Sequence, residues 1–170
     1  MNRLIVLVGV ALMSISMLSC NSVENQGGVA YERSKVAEMI ANHDTTILYF
    51  MTSWCQAGQN GFENNLKPYL SKASDTKAIV VVSVGEIEQI GSLASADKNL
   101  LICMAPSRYP LLDKIFINKE CKKLLSDYKR VNYVPVELVC NRKAEILNWN
   151  TDEGLNRTYG FIHPYLIGWK

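Results

Sequence analysis

Histidine is almost absent from this chain, and neither His43 nor His163 stands at a ligand spacing from any of the five cysteines. A metal site built on paired Cys or His ligands is therefore not expected. A Cys–His hydrolase has little support: His43 precedes a strand long enough to hold it roughly 20 Å from Cys55, and the place of His163, in the aromatic tail 159–170, cannot be read from the sequence. Charge of one sign is also lacking. The 18 Lys and Arg residues stand against 16 Asp and Glu, a formal net charge of +2, which argues against nucleic acid or another polyanion as partner. No internal repeat or low-complexity segment occurs, and no motif implies a cofactor. The apolar stretch Leu4 to Leu18 is fifteen residues long, short of the roughly 20 that a membrane-spanning helix needs.

That stretch follows Asn2 and Arg3 and ends in Met17-Leu18-Ser19-Cys20, the layout of a targeting segment. The four residues resemble a bacterial lipobox, whose cysteine takes the lipid and becomes the new N-terminus. The resemblance implies that residues 1–19 are a lipoprotein signal peptide and that Cys20 is lipidated. The mature chain would then lie in the bacterial cell envelope, lipid-anchored. Asn21, where an aspartate would mark inner-membrane retention, implies the outer membrane, facing the periplasm. Residues 20–30 read as the lipidated cysteine and a flexible tether, being polar and glycine-containing. Residues 31–170 are one domain's worth of chain.

Within that domain the stretch from Thr45 to Gly58 organises the rest. Thr45 to Met51 is a β-branched and aromatic run that predicts a buried strand. After Thr52-Ser53-Trp54 comes Cys55, and Phe62, Leu66 and Leu70 then recur at a spacing of four, which predicts a helix over 56–71. Cys55 thus stands where a strand ends and a helix begins, a position whose free N–H groups favour a thiolate. Upstream, Val36, Met39 and Ile40 predict a helix within 31–42. Downstream, Lys77 to Val84 predicts a strand covered on both faces, Glu86 to Ala94 a short helix, and Asn99 to Met104 a second strand. Pro106 and Pro110 are expected to break regular structure. Helical spacing resumes over 118–129. A strand from Val134 to Cys140, a turn through 141–144 and a second arm at 145–149 predict a hairpin, and Thr151 to Tyr159 a last helix capped by Thr151.

A strand, Ser53-Trp54-Cys55 and a helix resemble the active-site stretch of thioredoxin-fold proteins, especially the envelope thiol–disulfide oxidoreductases and redoxins of bacteria. The resemblance implies a thioredoxin-like α/β fold, a central mixed β-sheet flanked by helices, with an inserted segment before the last helix and closing hairpin. It also implies that Val134 and Pro135, the latter in a cis bond, face Cys55 across the site and contact substrate together with Trp54. The family carries Trp-Cys-x-x-Cys; here Gly58 stands where the second cysteine would be. Cys55 keeps the attacking thiol, but no neighbouring thiol can release a mixed disulfide.

The remaining thiols are weighed against that gap. Cys140 lies roughly 17 Å along its strand from Pro135 and Cys121 sits on an apolar helix face, so both read as core residues. Cys103 is the first choice for a resolving thiol. Trp54 either shields the thiol and offers an apolar surface to a substrate or fills space beneath the helix. Gly58 and Gly61 each cost about 1 kcal/mol in a helix relative to alanine, which reflects either the close approach of a partner backbone or drift in a site no longer under redox demand. Three functions follow. One is a monothiol redox protein acting on envelope protein thiols and disulfides. The second is a binding module for an extended peptide that has lost catalysis. The third is a peroxide-reducing redoxin, for which Thr52 stands three residues before Cys55 as in peroxiredoxins, although Leu48 replaces that family's proline.

Overall fold

Thr45 to Thr52 is apolar at nearly every position, and a strand of that kind must be covered on both faces. In the computed structural model, which describes residues 28–72, 75–87, 90 and 98–149, this strand lies inside a six-stranded sheet with helices on either side. In chain order the elements are β1 (Val29–Ala30), α1 (Arg33–Asn42), β2 (Thr45–Thr52) and α2 (Gln56–Gly61). They continue with β3 (Lys77–Val84), β4 (Leu100–Ala105), α3 (Pro110–Leu124), β5 (Val136–Asn141) and β6 (Ile146–Trp149).

The sheet order is β1-β4-β3-β2-β5-β6. β1 to β4 run parallel, whereas β5 is antiparallel to β2 and β6 to β5. This is the thioredoxin-like α/β arrangement with one extra strand, because the inserted segment supplies β4 between β1 and β3. Alternation along β2 divides the core. Leu48 and Phe50 pack with Val80, Val82 and Leu138 beneath Val36 and Ile40 of α1 and Ile117 and Cys121 of α3. Ile47, Tyr49 and Met51 pack with Ile79, Val81 and Val139 beneath Phe62 and Leu66.

Three expectations about extent, and one about Pro110, are corrected. Val29 and Ala30, read as the end of the tether, are β1, with Val29 opposite Cys103 and Ala30 opposite Met104. The helix read over 118–129 spans Pro110–Leu124 instead, with Pro110 in its first turn; that position needs no N–H and suits proline's fixed φ, so Pro110 starts the helix rather than breaking structure. Leu125 and Tyr128 therefore lie beyond it. The helix after Cys55 is α-helical only to Gly61, then widens through a π turn at Phe62–Leu66 and tightens to 3-10 geometry over Lys67–Lys72. In the closing hairpin, Ala144 takes a left-handed φ of 61° and the Asn141 side chain accepts the N–H groups of Lys143 and Glu145, an Asx arrangement that holds the turn. The signal peptide, Cys20, most of the tether, most of the helix expected over 86–94, the last helix and the aromatic stretch 159–170 fall outside the described residues. Among the described residues no helix is long and apolar enough to cross a membrane.

α1 and α3 are tied by one carboxylate. Glu120 is 4% exposed and accepts from Arg33 Nε at 2.6 Å, Arg33 Nη2 at 2.9 Å and the Tyr31 hydroxyl at 2.9 Å. Burial alone would raise its pKa, but the hydrogen bonds from Arg33 and Tyr31 outweigh that and hold it below the ordinary glutamate value. The stabilisation is therefore complete above about pH 4.3, the value in an unfolded chain, and is lost as pH falls through the lower folded-state value. Glu120→Gln should lower stability by about 1–3 kcal/mol at pH 7, with the deficit shrinking towards pH 3. Urea denaturation of both chains across that range checks this; parallel profiles would mean that Glu120 is not held ionised by its partners.

Candidate functional site

The register of β2 with its two neighbours builds the site. Phe50 lies opposite Val136 on β5 and Thr52 opposite Val84 on β3, so the end of β2 and the start of β5 share one edge of the sheet. Cys55 emerges there as the N-cap of α2, with φ −98° and ψ 98°. Its N–H donates to the Thr52 carbonyl at 3.1 Å, and its own carbonyl accepts from Gly58 at 3.0 Å and Gln59 at 3.1 Å. The Gln59 side chain donates back to the Ser53 carbonyl at 2.6 Å, pinning the turn. Cys55 Sγ is half-buried and donates to the Val134 carbonyl at 3.5 Å. The Val134–Pro135 bond is cis. Cys55, Val134 and Pro135 are thus brought together.

Gly58 is buried one turn further on. A Cβ there would lie 3.3 Å from Met51 Cβ and 3.7 Å from Pro135 Cβ, tight but open to a shift of a few tenths of an ångström. Its carbonyl accepts the buried Tyr49 hydroxyl at 2.8 Å. Gly61 has a sharper requirement, because a Cβ at that position would collide with the same hydroxyl. The atoms that close on these two glycines belong to the side chains of Tyr49, Met51 and Pro135 of the same chain.

Trp54 leans towards α3 rather than lying beneath α2. Its Nε1 donates to Asp113 Oδ2 at 2.9 Å, Lys114 Nζ stands 5.8 Å from its ring centre, and the residue keeps 40% of its surface exposed. Asp113 is 1% exposed and also accepts from the Ser107 hydroxyl at 2.7 Å and the Arg108 N–H at 3.0 Å. Burial pushes its pKa up, yet the hydrogen bonds from Arg108, Ser107 and Trp54 prevail and keep it below the ordinary aspartate value. Sequence reasoning missed Asp113. The signal was present in Pro110-Leu111-Leu112-Asp113, a proline-led helix start with an acidic residue in the first turn, but it was obscured once Pro110 was taken as a breaker.

The other thiols are not part of this cluster. Cys103 sits on β4 opposite Val82, which is itself opposite Phe50. It is therefore two strands, about 10 Å, from the level of Phe50, five residues before Cys55. It is fully buried, and burial pushes its pKa up to about 11. Cys121 and Cys140 are likewise buried; burial raises both, Cys140 to about 12. All four described cysteines are free. The Thr52 hydroxyl is buried with no partner among the described residues, so it does not open onto solvent beside Cys55. No group of three or more metal-binding side chains occurs among the described residues.

No family model matches this sequence, and no curated protein matches it. Solved structures to which the chain is similar include a thioredoxin from Wuchereria bancrofti, at 18% identity over 74% of this chain and 83% of that one, with a TM-score of 0.42. StoA from Bacillus subtilis is similar at 22% identity over 65% and 76%, with a TM-score of 0.41. The exposed lipoprotein thioredoxin Etrx1 from Streptococcus pneumoniae is similar at 12% identity over 71% and 79%, with a TM-score of 0.40.

Peptide-resolved alkylation with a brief iodoacetamide pulse should label Cys55 in the folded chain and reach Cys103, Cys121 and Cys140 only in denaturant; equal labelling of Cys103 and Cys55 would contradict the burial described. Gly61→Ala should cost about 1–3 kcal/mol through overpacking. Adding Tyr49→Phe should then cost less than it does alone, because removing the hydroxyl relieves the clash. A double-mutant cycle by denaturation measures that coupling, and strict additivity would place Tyr49 away from Gly61.

Proposed function

We propose that this chain is a cell-envelope thioredoxin-like lipoprotein that exchanges thiols and disulfides through the single cysteine Cys55. One observation carries the reading: Cys55 is the one described cysteine left partly open to solvent, at the strand–helix junction and against the carbonyl of Val134. As a thiolate, its sulfur attacks one sulfur of a substrate disulfide. The substrate S–S bond breaks, the second sulfur leaves as a thiolate, and a Cys55–substrate disulfide remains. Gly58 cannot resolve that intermediate and Cys103 is buried elsewhere, so the second thiol comes from a partner protein or a small thiol. It attacks the substrate sulfur of the mixed disulfide, forms a new disulfide with it, and Cys55 leaves as a thiolate. Trp54, next to Cys55 in sequence and 40% exposed, would contact the substrate together with Val134 and Pro135. Lipidation at Cys20 would hold the domain at the outer membrane, facing the periplasm.

A second reading is favoured by the burial of Gly58 against Met51 and Pro135. In it the domain keeps the thioredoxin-like scaffold as a non-catalytic module and offers the edge beside Pro135 to an extended peptide.

Cys55→Ser separates the readings, and Gly58→Cys tests the site geometry that both share. Under the first, the unmodified chain should release one equivalent of pyridine-2-thione from 2,2′-dithiodipyridine and retain the other half as a mixed disulfide. Cys55→Ser should abolish this with a nearly unchanged denaturation midpoint. Loss of folding in Cys55→Ser, or exchange persisting without Cys55, would remove the basis of the reading. Gly58→Cys should turn single-event chemistry into turnover, raising dithiothreitol-dependent reduction of a protein disulfide by roughly tenfold or more. Absence of any gain would mean that the two positions do not have dithiol geometry.

A further inference from the structure

The thiol site uses one side of α3 and leaves the other free. Asp113, Ile117, Glu120, Cys121 and Leu124 face inward, which turns Leu111, Ile115, Lys119 and Lys122 outward along neighbouring turns. Leu111 is 68% exposed, and Tyr109, just before the helix, 71%. Next to these lies a groove of about 510 Å³ between the helix and the segment that returns from it, lined by Ile115, Asn118, Lys119, Lys122, Tyr128 and Arg130.

The groove is built rather than incidental. The Asn118 side chain accepts from the Tyr128 hydroxyl and the Val131 N–H, each at 2.9 Å, and donates to the carbonyls of Lys114 at 2.8 Å and Val131 at 2.9 Å. Its amide is fully occupied in holding the returning segment against the helix, so Asn118 shapes the groove and leaves recognition to others. Lys119 and Lys122 on one wall and Arg130 on the other are exposed and form no ion pair among the described residues. The helix's own carboxylates, Asp113 and Glu120, are buried and engaged inward. Three cations therefore line the groove, and no carboxylate is among its lining residues.

The same helix reaches Trp54, the residue before the thiol. Asp113 holds the indole of Trp54, and Lys114 stands over its ring while donating to the Asn132 carbonyl at 3.3 Å. Lys119 and Lys122 follow Lys114 by five and eight residues, or about 8 and 12 Å along the axis. An extended peptide covers such a distance in three or four residues.

We propose that this groove docks an acidic segment of the polypeptide whose disulfide reacts at Cys55. This proposal rests on the thiol-exchange reading of Cys55. Carboxylates a few residues from the reacting cysteine pair with Lys119, Lys122 and Arg130, and an apolar side chain between them settles against Ile115 and Tyr128. A groove with cations on two walls, Lys119 and Lys122 on the helix and Arg130 on the returning segment, receives an acidic peptide between them. Charge of this kind acts mainly on encounter rate and is screened by salt.

The test uses the full chain in a neutral detergent and two synthetic peptides, each bearing a cysteine activated as its pyridylthio disulfide. One carries two glutamates and a leucine four residues from the cysteine, the other two lysines and a leucine. Cys55 attacks the peptide sulfur, the S–S bond breaks, pyridine-2-thione leaves, and the peptide remains joined by a new disulfide. The acidic peptide should react at least tenfold faster than the basic one at low salt. The preference should collapse in 0.5 M sodium chloride and invert in Lys119→Glu/Lys122→Glu. Equal rates for the two peptides, or a preference unaffected by the charge reversal, would overturn the groove while leaving exchange at Cys55 intact. If neither peptide nor 2,2′-dithiodipyridine reacts, it is the exchange reading that fails. Binding of the fluorescein-labelled acidic peptide to Cys55→Ser then decides the groove alone: salt-sensitive binding lost on charge reversal supports it, and no binding refutes it. Vesicle binding through Lys119 and Lys122 with no peptide binding would likewise refute it, in favour of a membrane surface.

Discussion

The pairing of β2 on both sides is the constraint on which the site depends. Parallel to β3 and antiparallel to β5, this strand has no free edge and no solvent face, so its register cannot slip without moving an entire set of side chains to the wrong side of the sheet. Because β5 runs the opposite way, its beginning meets the end of β2. Cys55 and the Val134–Pro135 pair, 79 residues apart, become neighbours through that geometry. No direct bond between the two segments is needed to gather them.

Tyr49 extends the same constraint to the helix. Its ring belongs to the core under α2, and its hydroxyl closes on the Gly58 carbonyl in the space that Gly61 leaves open. Two glycines in the first turns of a helix reduce its intrinsic preference. Here the loss is offset by a buried hydrogen bond and by close packing of helix on strand. The site is thereby carried by rigid elements, with the thiol at their junction.

How far the chain could be read in advance follows from which interactions are local. β2 and β3 announced themselves because continuous apolar runs have few other fates, and the β5–β6 hairpin because its turn chemistry lies within a few residues. Cys55 was legible from its place between a strand and a helix. Asp113 was not, since its partners Trp54, Ser107 and Arg108 are gathered by tertiary structure, and the proline that opens α3 carries the same letter as one that would break it. β1 was hidden for a similar reason: two residues have no periodicity, and only the presence of β4 makes Val29–Ala30 a strand. The placement of Cys103 two strands from β2 depended on sheet order, which strand-by-strand reading does not supply.

The carboxylate of Asp113 takes hydrogen bonds from Trp54 beside the thiol and from Ser107 and Arg108 in the loop after β4. The inserted segment and the thiol site are consequently not separable modules. A graft of the Ser53-Trp54-Cys55 stretch onto a scaffold without this helix start would take from the indole N–H its acceptor, and a loop exchange at 106–109 that replaces Ser107 and moves the Arg108 backbone N–H would take two donors from the carboxylate. Substitutions in that loop and at Trp54 should accordingly tolerate change together more readily than either does alone, so that the history of one is written into the other.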